Sequence, residues 1–576
     1  MRQWMVAAKK ADFYAIAEKF HVDPVVARII RNREVIGEKN IRIYLGGNLS
    51  DLSDPHQMKD MDRLVEILAQ KIRKQVHIRI IGDYDVDGVT SSHLFLTALR
   101  RVGAKVDVVI PHRIQDGYGL SLHLLQQAKE DGVDTILTCD NGIAAIDEIA
   151  WAKAQKMTVL VTDHHAVPFE EHEGRRTEKK SLADAVVNPH QQDCRYPYKE
   201  LCGAGVAWNV IRVLYENYDM DKREAEDLLD FVAMATVCDV MSLTGENRIL
   251  VKEGLKRIRH TKNIGLQALM QACNVQPENI SAYHFGYVLG PCVNATGRLD
   301  TARHALRLFE TGQETEAEEI ARDLVDLNQE RKELTLQGVE MAKKLCEEGG
   351  YEKDPILVLF LPDVHESIAG LIAGRIREMY NRPVFVLTRG EEGVKGSGRS
   401  TENYSMYENM CGCAELFTKF GGHPMAAGLS LPEENVEKFR RKINENCPLT
   451  VEEVCPDIHI DMAMPVGYAS TELVHQFALL EPFGKDNPSP LFADRNLSIS
   501  RMWLIGKNRN VLRMSVLSEY GQPVPVIFFG DVETLFAYFT EKFGQEEVEN
   551  ALHGRKNRIL FSMVYTCLLY TSDAAD

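Results

Sequence analysis

The chain has 576 residues, which is enough for about three or four domains. Hydrophobic residues make up 45% and charged residues 26% without a low-complexity tract, and these values exclude a disordered or fibrous chain. The net charge of −17 argues against indiscriminate coating of nucleic acid, although it leaves room for a local basic groove.

The lack of a recognisable targeting signal and the spacing of the cysteines predict a cytoplasmic protein. No apolar run is long enough to span a bilayer, and the first residues lack the apolar core of a signal peptide, so we expect no membrane association. The twelve cysteines lack the paired spacing of zinc sites, and we expect reduced thiols.

The N-terminal segment, residues 12–62, is predicted to be mostly helical and amphipathic. Pro24 stands at a predicted helix start. The segment carries no recognisable chemistry, and we expect it to cap the domain that follows.

Three acids follow the first predicted buried strand, which begins at Val76. Asp83, Asp85 and Asp87 occupy alternate positions, and in an extended chain alternate side chains share a face. Gly88 should end the extended run, and residues 89–102 have helical spacing. Uncompensated carboxylates repel one another, so the cluster indicates divalent cations such as Mg²⁺ or Mn²⁺.

Two other interpretations of this acidic stretch compete. A calcium-binding helix-loop-helix opens with the same Asp-x-Asp-x-Asp-Gly pattern, but its twelfth position requires a Glu, and Leu94 stands there. A strand in front, in place of a helix, also argues against calcium. The second alternative, a solvated acidic turn, stays open from this stretch alone.

Strands and helices then alternate, which predicts an open parallel α/β sheet whose ligands sit outside the carboxyl ends of its strands. The predicted strands cover residues 106–110, 135–139, 158–162 and 185–187, and the predicted helices cover 121–129 and 143–155.

Further acids and two histidines lie directly after these strands. Asp140 follows one strand, and Asp163, His164 and His165 follow the next. A single acid at a strand end is often a helix cap, but three such ends are hard to explain as caps. Asp239, in an otherwise apolar stretch, is a plausible fourth contribution. The set predicts two cations that share a carboxylate and hydrolyse a phosphoester.

The segments GDYDVDG, CDNG, DHH and ATVCDV resemble, in order and spacing, the four motifs of the DHH phosphoesterase superfamily. The resemblance implies a site for two Mn²⁺ or Mg²⁺ ions. The metal ligands that it implies are Asp85, Asp87, Asp140, His164 and Asp239, with Asp83, Asp163 and His165 completing or orienting the catalytic site.

Residues 290–299, GPCVNATGRL, resemble the segment that closes this domain in RecJ-type exonucleases. Cys292 stands where the family has an arginine, whereas Asn294 and Arg298 match and are implied to bind substrate. Residues 315–348 then predict one long helix that packs on the domains at both of its ends.

A second, smaller α/β unit is predicted from strands 356–361 and 383–387 and helix 367–380. Glycines in 396–400 and 420–424 let backbone amides approach an anion. The Gly-Gly-His segment resembles the motif of the DHHA1 domain, which grips the substrate backbone. The substrate-binding residues implied here are His365, Arg375, Ser397, Arg399, Gly421, Gly422 and His423, although Val364 and Ser367 depart from the family pattern beside His365.

From Ile458 the chain is predicted to be rich in β-strands, and residues 480–488 resemble a turn of the oligonucleotide-binding (OB) barrel of RecJ-type proteins. Basic residues interleaved with aromatic ones suit a single strand, through phosphate pairing and base stacking. An ordinary small barrel with core aromatics is an equal alternative. The residues concerned are Arg495, Arg501, Lys507, Arg509, Arg513, Trp503, Phe528 and Phe529. The family histidine near Gly506 is absent.

The final ten residues, 567–576, resemble a translated sequencing adapter, and we expect them to be a non-native tail without function. The whole sequence predicts an α/β protein: a parallel-sheet DHH domain, a connecting helix, a DHHA1 domain and a C-terminal OB barrel. The expected boundaries are a helical cap at 1–62, DHH at 63–300, the connecting helix at 301–350, DHHA1 at 351–452 and OB at 453–566.

The resemblance implies a metal-dependent exonuclease that degrades single-stranded DNA from its 5′ end in repair and recombination. We further expect a monomer that works with a single-stranded-DNA-binding protein and a repair helicase. The alternatives are a DHH–DHHA1 oligoribonuclease/pAp phosphatase or cyclic-dinucleotide phosphodiesterase, which lack the OB barrel, and a non-catalytic DNA-binding scaffold, which would have lost motif acids. A family II pyrophosphatase is disfavoured because Ile81 stands where that family has a histidine.

Overall fold

The computed structural model describes residues 4–112, 119–172, 175–299, 301–390, 393–506 and 509–567. The chain divides into two compact units. The first contains Gly47–Pro456 with Gly484–Asp486, and the second contains Arg2–Gly46, Asp457–Phe483 and Asn487–Asp576. Among the described helices, none combines the length and the apolar character that crossing a membrane requires.

The elements are numbered along the chain. The helices are α1 (Phe13–Phe20), α2 (Pro24–Asn32), α3 (Glu38–Gly46), α4 (Met61–Arg73), α5 (Val86–Arg101), α6 (Leu122–Glu130), α7 (Ile146–Ala154), α8 (Gly203–Asn217), α9 (Arg223–Glu226), α10 (Leu229–Cys238), α11 (Gly245–Ile258), α12 (Ile264–Ala272), α13 (Ala282–His284), α14 (Gly290–Leu299), α15 (Arg303–Glu310), α16 (Glu314–Glu348), α17 (Glu366–Tyr380), α18 (Met406–Cys411), α19 (Val436–Glu445), α20 (Thr471–Phe477), α21 (Val532–Phe543) and α22 (Gln545–Leu552).

The strands are β1 (Trp4–Val6), β2 (Ile78–Ile81), β3 (Val106–Val109), β4 (Thr135–Cys139), β5 (Thr158–Thr162), β6 (Phe169–His172), β7 (Arg175–Glu178), β8 (Ala185–Val187), β9 (Leu357–Phe360), β10 (Val384–Gly390), β11 (Gly393–Arg399), β12 (Lys419–His423), β13 (Ala426–Leu431), β14 (Ile458–Ile460), β15 (Met462–Ala463), β16 (Phe492–Ile505), β17 (Val511–Leu517), β18 (Pro523–Phe528) and β19 (Leu560–Tyr565).

The first unit is built on a parallel sheet with the strand order β3-β2-β4-β5-β8. Strands β2 and β4 are buried along their whole length because helices cover both faces of the sheet. Helices α6 and α7 form the smaller core on one face, and α4, α5, α8 and α10 form the larger core on the other. The predicted parallel α/β fold is therefore confirmed, and the carboxyl ends of its strands share one edge.

The first acidic motif departs from the predicted local structure. Strand β2 ends at Ile81, and α5 begins at Val86, three residues earlier than the spacing predicts. Asp85 is the N-cap of α5, and its Oδ1 accepts a hydrogen bond of 3.0 Å from the amide of Gly88. The three acids therefore occupy a loop and a first helical turn, and the expectation that they share a face of an extended chain is wrong.

Helix α16 is the predicted long connector, and at 35 residues it extends about 50 Å. Ala317, Ile320 and Leu324 near its start belong to the core of the parallel-sheet domain. Val339 and Ala342 near its end belong to the core of the following domain. One rigid element thus packs on both domains of the first unit, as the sequence predicts.

The smaller domain of this unit has a five-stranded sheet in the order β12-β13-β11-β10-β9. Only the β9–β10 pair among them is parallel, and the other pairs are antiparallel. Residues 396–399 and 420–423, whose glycines the sequence suggested as anion-binding backbone, are parts of strands β11 and β12. Strand β12 lies at the edge of this sheet, and four of its five residues are exposed.

The second unit joins the N-terminal helices to the C-terminal sheet. Val26, Ile29 and Ile30 of α2 share a core with Leu473 and Phe477 of α20. Strand β1 pairs with β14 in parallel, and Arg33 forms a buried two-pronged ion pair with Asp461 at 2.7 and 3.0 Å. Helices α1 to α3 thus share a core with the C-terminal domain, whereas Leu49, Leu52 and Met58, at the end of the predicted cap, pack on the parallel-sheet domain as the sequence suggested. The predicted domain boundaries themselves stay a prediction.

The C-terminal sheet has the order β15-β16-β17-β18, with β19 paired to β16. The long strand β16 pairs with β19 through its first half and with β17 through its second half, and its register with β17 shifts between Ile499 and Arg501. The curled sheet and helices α21 and α22 enclose a separate core. The predicted α/β fold class with a terminal β-rich OB domain is confirmed. Residues 568–576, which cover most of the proposed non-native tail, lie outside the described residues.

Candidate metal centre and substrate cavity

The acids after strand β2 point toward a single buried site. Asp83 and Asp87 are 1% exposed, and Asp85 is partly buried. Asp87 accepts hydrogen bonds from the backbone amides of Gly203 (2.5 Å) and Ala204 (2.7 Å) at the start of α8. Because these two amides fix both carboxylate oxygens, Asp87 is held in one orientation.

Strand β4 delivers Asp140 to the same site. Asp140 is 2% exposed and has a left-handed backbone with φ of +60°, a conformation that side chains other than glycine adopt infrequently. The next residue, Asn141, donates to the carbonyl oxygens of Ile81 and Cys139 and so ties β2 to β4. This tie holds the Asp140 backbone in its strained conformation beside the first acidic motif.

Strand β5 delivers Asp163, His164 and His165. The Nε2 atom of His164 lies 3.0 Å from Oδ1 of Asp140 and 3.6 Å from Oδ2 of Asp87. His165 hydrogen-bonds to Asp163, with Nδ1 at 2.8 Å from Oδ1, and the same Nδ1 lies 3.9 Å from Oδ1 of Asp140. Both histidines therefore border the carboxylate cluster, but only His165 is bound to Asp163 through its side chain.

Asp163 is the structural anchor of this segment. Its carboxylate accepts hydrogen bonds from the amides of Ile143, His164 and His165. Burial would raise the pKa of Asp163, but the hydrogen bond from His165 and the charges of both histidines outweigh it and hold the pKa below its usual range. For His165, burial acts against protonation, yet the Asp163 hydrogen bond and charge raise its pKa to about 9.

Asp239 arrives from a different element, the C-terminal end of helix α10. Its Oδ2 lies 3.6 Å from Nε2 of His164. A helix C-terminus is a poor environment for an anion, because the helix dipole places negative charge there. A bound cation would balance the charge of a carboxylate held at that position beside other carboxylates.

The donor atoms form three overlapping groups in which all atoms lie within 4.8 Å of one another. The groups are Asp83 with Asp85 and Asp140, Asp87 with His164 and Asp239, and Asp140 with His164 and His165. Asp140 and His164 each belong to two groups, so a shared ligand is available to a pair of ions.

The electrostatics of the cluster fit divalent cations. Burial, followed by the charges of Asp87 and Asp85, raises the pKa of Asp140 well above its ordinary value, and burial together with the charge of Asp85 does the same for Asp83. Burial and the charge of Asp87 raise the pKa of Asp239. In addition, the buried Oδ1 of Asp83 has no hydrogen-bond partner within the described residues. An oxygen-rich set with one imidazole nitrogen suits Mn²⁺ or Mg²⁺, so these residues fit the ions that the sequence implies.

Gly203 is a part of the site that sequence reasoning missed. A Cβ atom at Gly203 would lie 2.6 Å from Cβ of Asp140 and 3.0 Å from Oδ2 of Asp87, which is too close for any side chain. The signal in the sequence was the Gly203-Ala204-Gly205 run, because small residues at the start of a helix let backbone amides approach an anion.

Helix α14 links the metal centre to the smaller domain. Asn294 accepts a hydrogen bond of 3.2 Å from the amide of Val86, in the first turn of α5. One turn later, Arg298 donates through Nη1 to the carbonyl oxygen of Ser367 at 2.6 Å. Between them, Gly297 packs so closely on Tyr84 that a Cβ atom would lie 2.4 Å from its carbonyl oxygen.

A cavity of about 530 Å³ opens where α14 meets the smaller domain. Four cationic side chains line it: Arg298, Lys395, Arg399 and Lys419. Lys395 is paired with Glu366 at 2.9 Å, and Nη1 of Arg399 donates to Oγ of Ser397 at 3.2 Å. Of the predicted substrate residues, the cavity brings together Arg298, Ser397, Arg399 and Gly421. Lys395 and Lys419 were not predicted, because isolated lysines on a strand carry no sequence signal.

The remaining predicted substrate residues have other surroundings. His365 is the N-cap of α17 and contacts Oγ of Ser367 at 2.6 Å. The Arg375 side chain is 70% exposed and lies 3.5 Å from Glu378. Gly422 and His423 are exposed on the edge strand β12 and are absent from the described lining of the cavity. Their part in binding stays a prediction.

The predicted basic and aromatic cluster of the second unit centres on Trp503. Its ring lies 5.7 Å from the guanidinium carbon of Arg501 and 5.3 Å from that of Arg513. Phe529 is 69% exposed, whereas Phe528 packs against the core of the sheet, as the alternative interpretation of an ordinary barrel expects. Arg495 and Arg509 are exposed, and Lys507 lies outside the described residues.

Comparison with known families covers all three domains. Residues 77–236 match the DHH family N-terminal domain, residues 353–447 match the DHHA1 domain, and residues 460–564 match the RecJ OB domain. The fold and the converging acids and histidines thus define a DHH–DHHA1 phosphoesterase architecture.

Similar proteins and solved structures identify the family within the DHH–DHHA1 phosphoesterases. The chain is 34% identical to the single-stranded-DNA-specific exonuclease RecJ of Haemophilus influenzae, over 86% of this chain and 88% of the relative. It is 33% identical to RecJ of Bacillus subtilis over 88% of this chain, and it spans 63% of that relative's length. The crystal structure of Thermus thermophilus RecJ in complex with Mn²⁺ superposes with a TM-score of 0.76 at 27% identity, covering 90% of this chain and 74% of that one.

The chain belongs to the RecJ family. The predicted relationship to metal-dependent exonucleases is therefore confirmed.

Proposed function

We propose that this chain is a metal-dependent exonuclease that hydrolyses the phosphodiester bonds of single-stranded DNA, beginning at the 5′ end. The observation that carries the proposal is the convergence of five aspartates and His164 from four separate elements on one buried site. A fold gains no stability from gathering like charges in its interior, so the cluster makes sense as a cation site. The DNA substrate and the polarity come from the RecJ relatives.

The proposed metal ligands are Asp85, Asp87, Asp140, His164 and Asp239, with Asp140 as the shared ligand. Divalent ions bound there supply Lewis-acid chemistry, in that they lower the pKa of water and stabilise the charge that develops on a phosphoryl group. The remaining groups prepare the site for this chemistry. The amides of Gly203 and Ala204 orient Asp87, and Asp163 orients the segment that carries both histidines.

His165 is proposed to act on the reacting phosphate. Its side chain is 42% exposed, and its ring lies in the same donor group as Asp140 and His164. The Nδ1–H group donates to Asp163, which fixes the plane of the ring. A protonated imidazole in this position can stabilise an anionic phosphoryl group or supply a proton to a leaving oxygen.

The cavity of the smaller domain is proposed to hold a phosphate of the substrate strand. Arg298, Lys395, Arg399 and Lys419 provide cationic donors, and Gly421 lets the ligand approach the backbone. Residues 294 and 298 lie about 6 Å apart along α14, so the helix that supports the metal loop also contributes to the phosphate cavity. We propose that a phosphate held there positions the strand for cleavage at the metal centre.

A variant of the shared ligand tests the metal assignment. Asp140→Ala should abolish Mn²⁺-dependent cleavage of single-stranded DNA while leaving the protein folded, because Asp140 lies at a strand end outside the apolar core. The control is Asp147→Ala, which removes an exposed aspartate on α7 of the same domain and should cleave at the wild-type rate. Cleavage is measured with a 5′-labelled strand, and folding is measured by circular dichroism. Retained Mn²⁺-dependent cleavage by Asp140→Ala would refute the assignment.

Substrate class and polarity need a second experiment. Strands labelled at either end, short RNA, a cyclic dinucleotide and blunt duplex DNA are incubated with the chain, with and without Mn²⁺. We expect mononucleotides to be released first from the 5′ end of single-stranded DNA. Preferential cleavage of short RNA or the cyclic dinucleotide would favour the small-substrate alternative, and binding without cleavage would favour a scaffold.

We also propose that a single-stranded-DNA-binding protein and a repair helicase are the cellular partners, and that the chain acts as a cytoplasmic monomer. These proposals rest on the family resemblance.

A further inference from the structure

Two cysteine thiols are in contact where the end of α12 meets α14. Cys273, directly after α12, and Cys292, in α14, have their Sγ atoms 3.8 Å apart. Cys273 is partly exposed, whereas Cys292 is 2% exposed. A disulfide bond requires about 2.05 Å between the sulfurs, so these two need to approach by less than 2 Å.

The surroundings favour one thiol of the pair as the nucleophile. The Nδ2 atom of Asn328, in α16, donates to Sγ of Cys292 at 3.3 Å, and the Cys273 thiol can donate to the same sulfur. When Cys292 carries its own proton, it donates to the carbonyl oxygen of Val288 at 3.2 Å. The Cys273 hydrogen bond, then the Asn328 bond and the charge of Lys332, lower the pKa of Cys292, while the same contact and burial raise the pKa of Cys273. A thiolate on Cys292 therefore has a protonated thiol beside it.

We propose that Cys273 and Cys292 form a reversible disulfide when the protein meets hydrogen peroxide, and that this disulfide slows phosphodiester cleavage by displacing α14. In the first step the Cys292 sulfur attacks one peroxide oxygen, the O–O bond breaks, and a sulfenic acid and one water form. In the second step the Cys273 sulfur attacks the sulfenic sulfur, and a second water leaves. Two thiols and one peroxide thus give one disulfide and two waters.

Helix α14 connects the cysteine pair to the proposed active site, so a disulfide bond at Cys292 would affect cleavage. Asn294 and Gly297 pack on the loop that carries Asp85, and Arg298 is bonded to Ser367 beside the phosphate cavity. These contacts are closely packed, since a Cβ atom at Gly297 would collide with the carbonyl oxygen of Tyr84. Pulling Cys292 toward α12 therefore moves the supports of the metal loop and of the cavity together.

The modification can be read without any cleavage assay. The tryptic peptide 263–298 contains Cys273 and Cys292 and no other cysteine. The full-length chain is treated with stoichiometric hydrogen peroxide in the presence of a chelator, quenched with catalase, alkylated and digested. We expect this peptide to lose two hydrogens and to carry no alkyl label, and to carry two labels after treatment with a thiol reductant. Two labels at a peroxide dose that oxidises the exposed Cys411 would overturn the proposal.

The effect on activity rests on the proposed nuclease function and is measured after Mn²⁺ is restored. Oxidation should slow cleavage by roughly tenfold to a hundredfold, and the reductant should restore it, because a displacement near 1 Å at a reacting centre costs about that much. Cys273→Ser and Cys292→Ser should each be insensitive to peroxide, whereas Cys411→Ser should stay sensitive. A disulfide that leaves the wild-type rate unchanged would overturn the regulatory role, and a chain that cleaves no DNA would refute the proposed function while the mass measurement still stands.

Discussion

Gly203 offers the sharpest test of how the metal centre is assembled. The proposed change is Gly203→Ala, which adds one methyl group where the start of α8 meets two acids. The new Cβ would lie 2.6 Å from Cβ of Asp140, about 0.8 Å inside the 3.4 Å at which ordinary contact begins. It would also lie 3.0 Å from Oδ2 of Asp87, the oxygen that the amide of Gly203 binds.

The expected loss of cleavage rate in Gly203→Ala depends on which of the two contacting segments can move. Asp140 is fixed by a strained backbone between β4 and Asn141, so the helix start has to retreat, and the hydrogen bonds from Gly203 and Ala204 to Asp87 lengthen. A displacement near 1 Å of a metal ligand should slow cleavage about 10²-fold, which equals about 2.7 kcal/mol of transition-state stabilisation. Overpacking of this kind should also cost roughly 1–3 kcal/mol of folding stability.

The assay is single-turnover cleavage of a 5′-labelled strand across a range of Mn²⁺ concentrations, with thermal unfolding measured alongside. Gly205→Ala is the matched control on the same helix, because its Cβ would lie at an ordinary 3.4 Å from the Leu201 side chain. Gly205→Ala should keep the wild-type rate and Mn²⁺ dependence. Should Gly203→Ala also keep both, the amide-to-carboxylate contacts of α8 would not matter for catalysis, and the proposed assembly of the site would be wrong.

Three further variants test separate parts of the molecule. Arg399→Ala should weaken binding of all single-stranded sequences alike and reduce the salt dependence of binding by about one phosphate contact, as measured by fluorescence anisotropy at several salt concentrations. Trp503→Ala should weaken binding of long strands by ~1–3 kcal/mol and leave cleavage of very short oligonucleotides unchanged. Burial raises the pKa of Asp230 to about 6, so its contribution to stability is present below the pKa of the unfolded chain and is lost as the pH rises through 6. Asp230→Asn should remove that loss of roughly 3 kcal/mol, as urea unfolding near pH 4 and near pH 7 would show.

The sequence predicted those features that depend on local patterns. Apolar runs bounded by glycines and acids located the five parallel strands, and a 3.6-residue period located α16 almost to the residue. The convergence of Asp140 and His164 followed from strand polarity alone, since parallel strands end at one edge. These inferences needed no knowledge of tertiary contacts.

Features that depend on long-range packing could not be predicted from the sequence. The extended-chain argument for Asp85 and Asp87 failed because a helix cap outweighs strand alternation once Asp85 accepts from the amide of Gly88. The role of Gly203 depends on its distance to Asp140, which is 63 residues away along the chain, and no local pattern reports such a distance. The same limit applies to Lys395 and Lys419, which join the proposed phosphate cavity only through sheet pairing.

The composition of the second unit has a consequence for synthesis on the ribosome. Helix α2 emerges early, yet Leu473 and Phe477, which share its core, are made after more than four hundred intervening residues. At ordinary elongation rates this delay is on the order of 20–80 s. During that interval the apolar face formed by Val26, Ile29 and Ile30 lacks its covering helix while the residues of the first unit are synthesised. The nascent chain therefore exposes this apolar face to chaperones and proteases until α20 has been made.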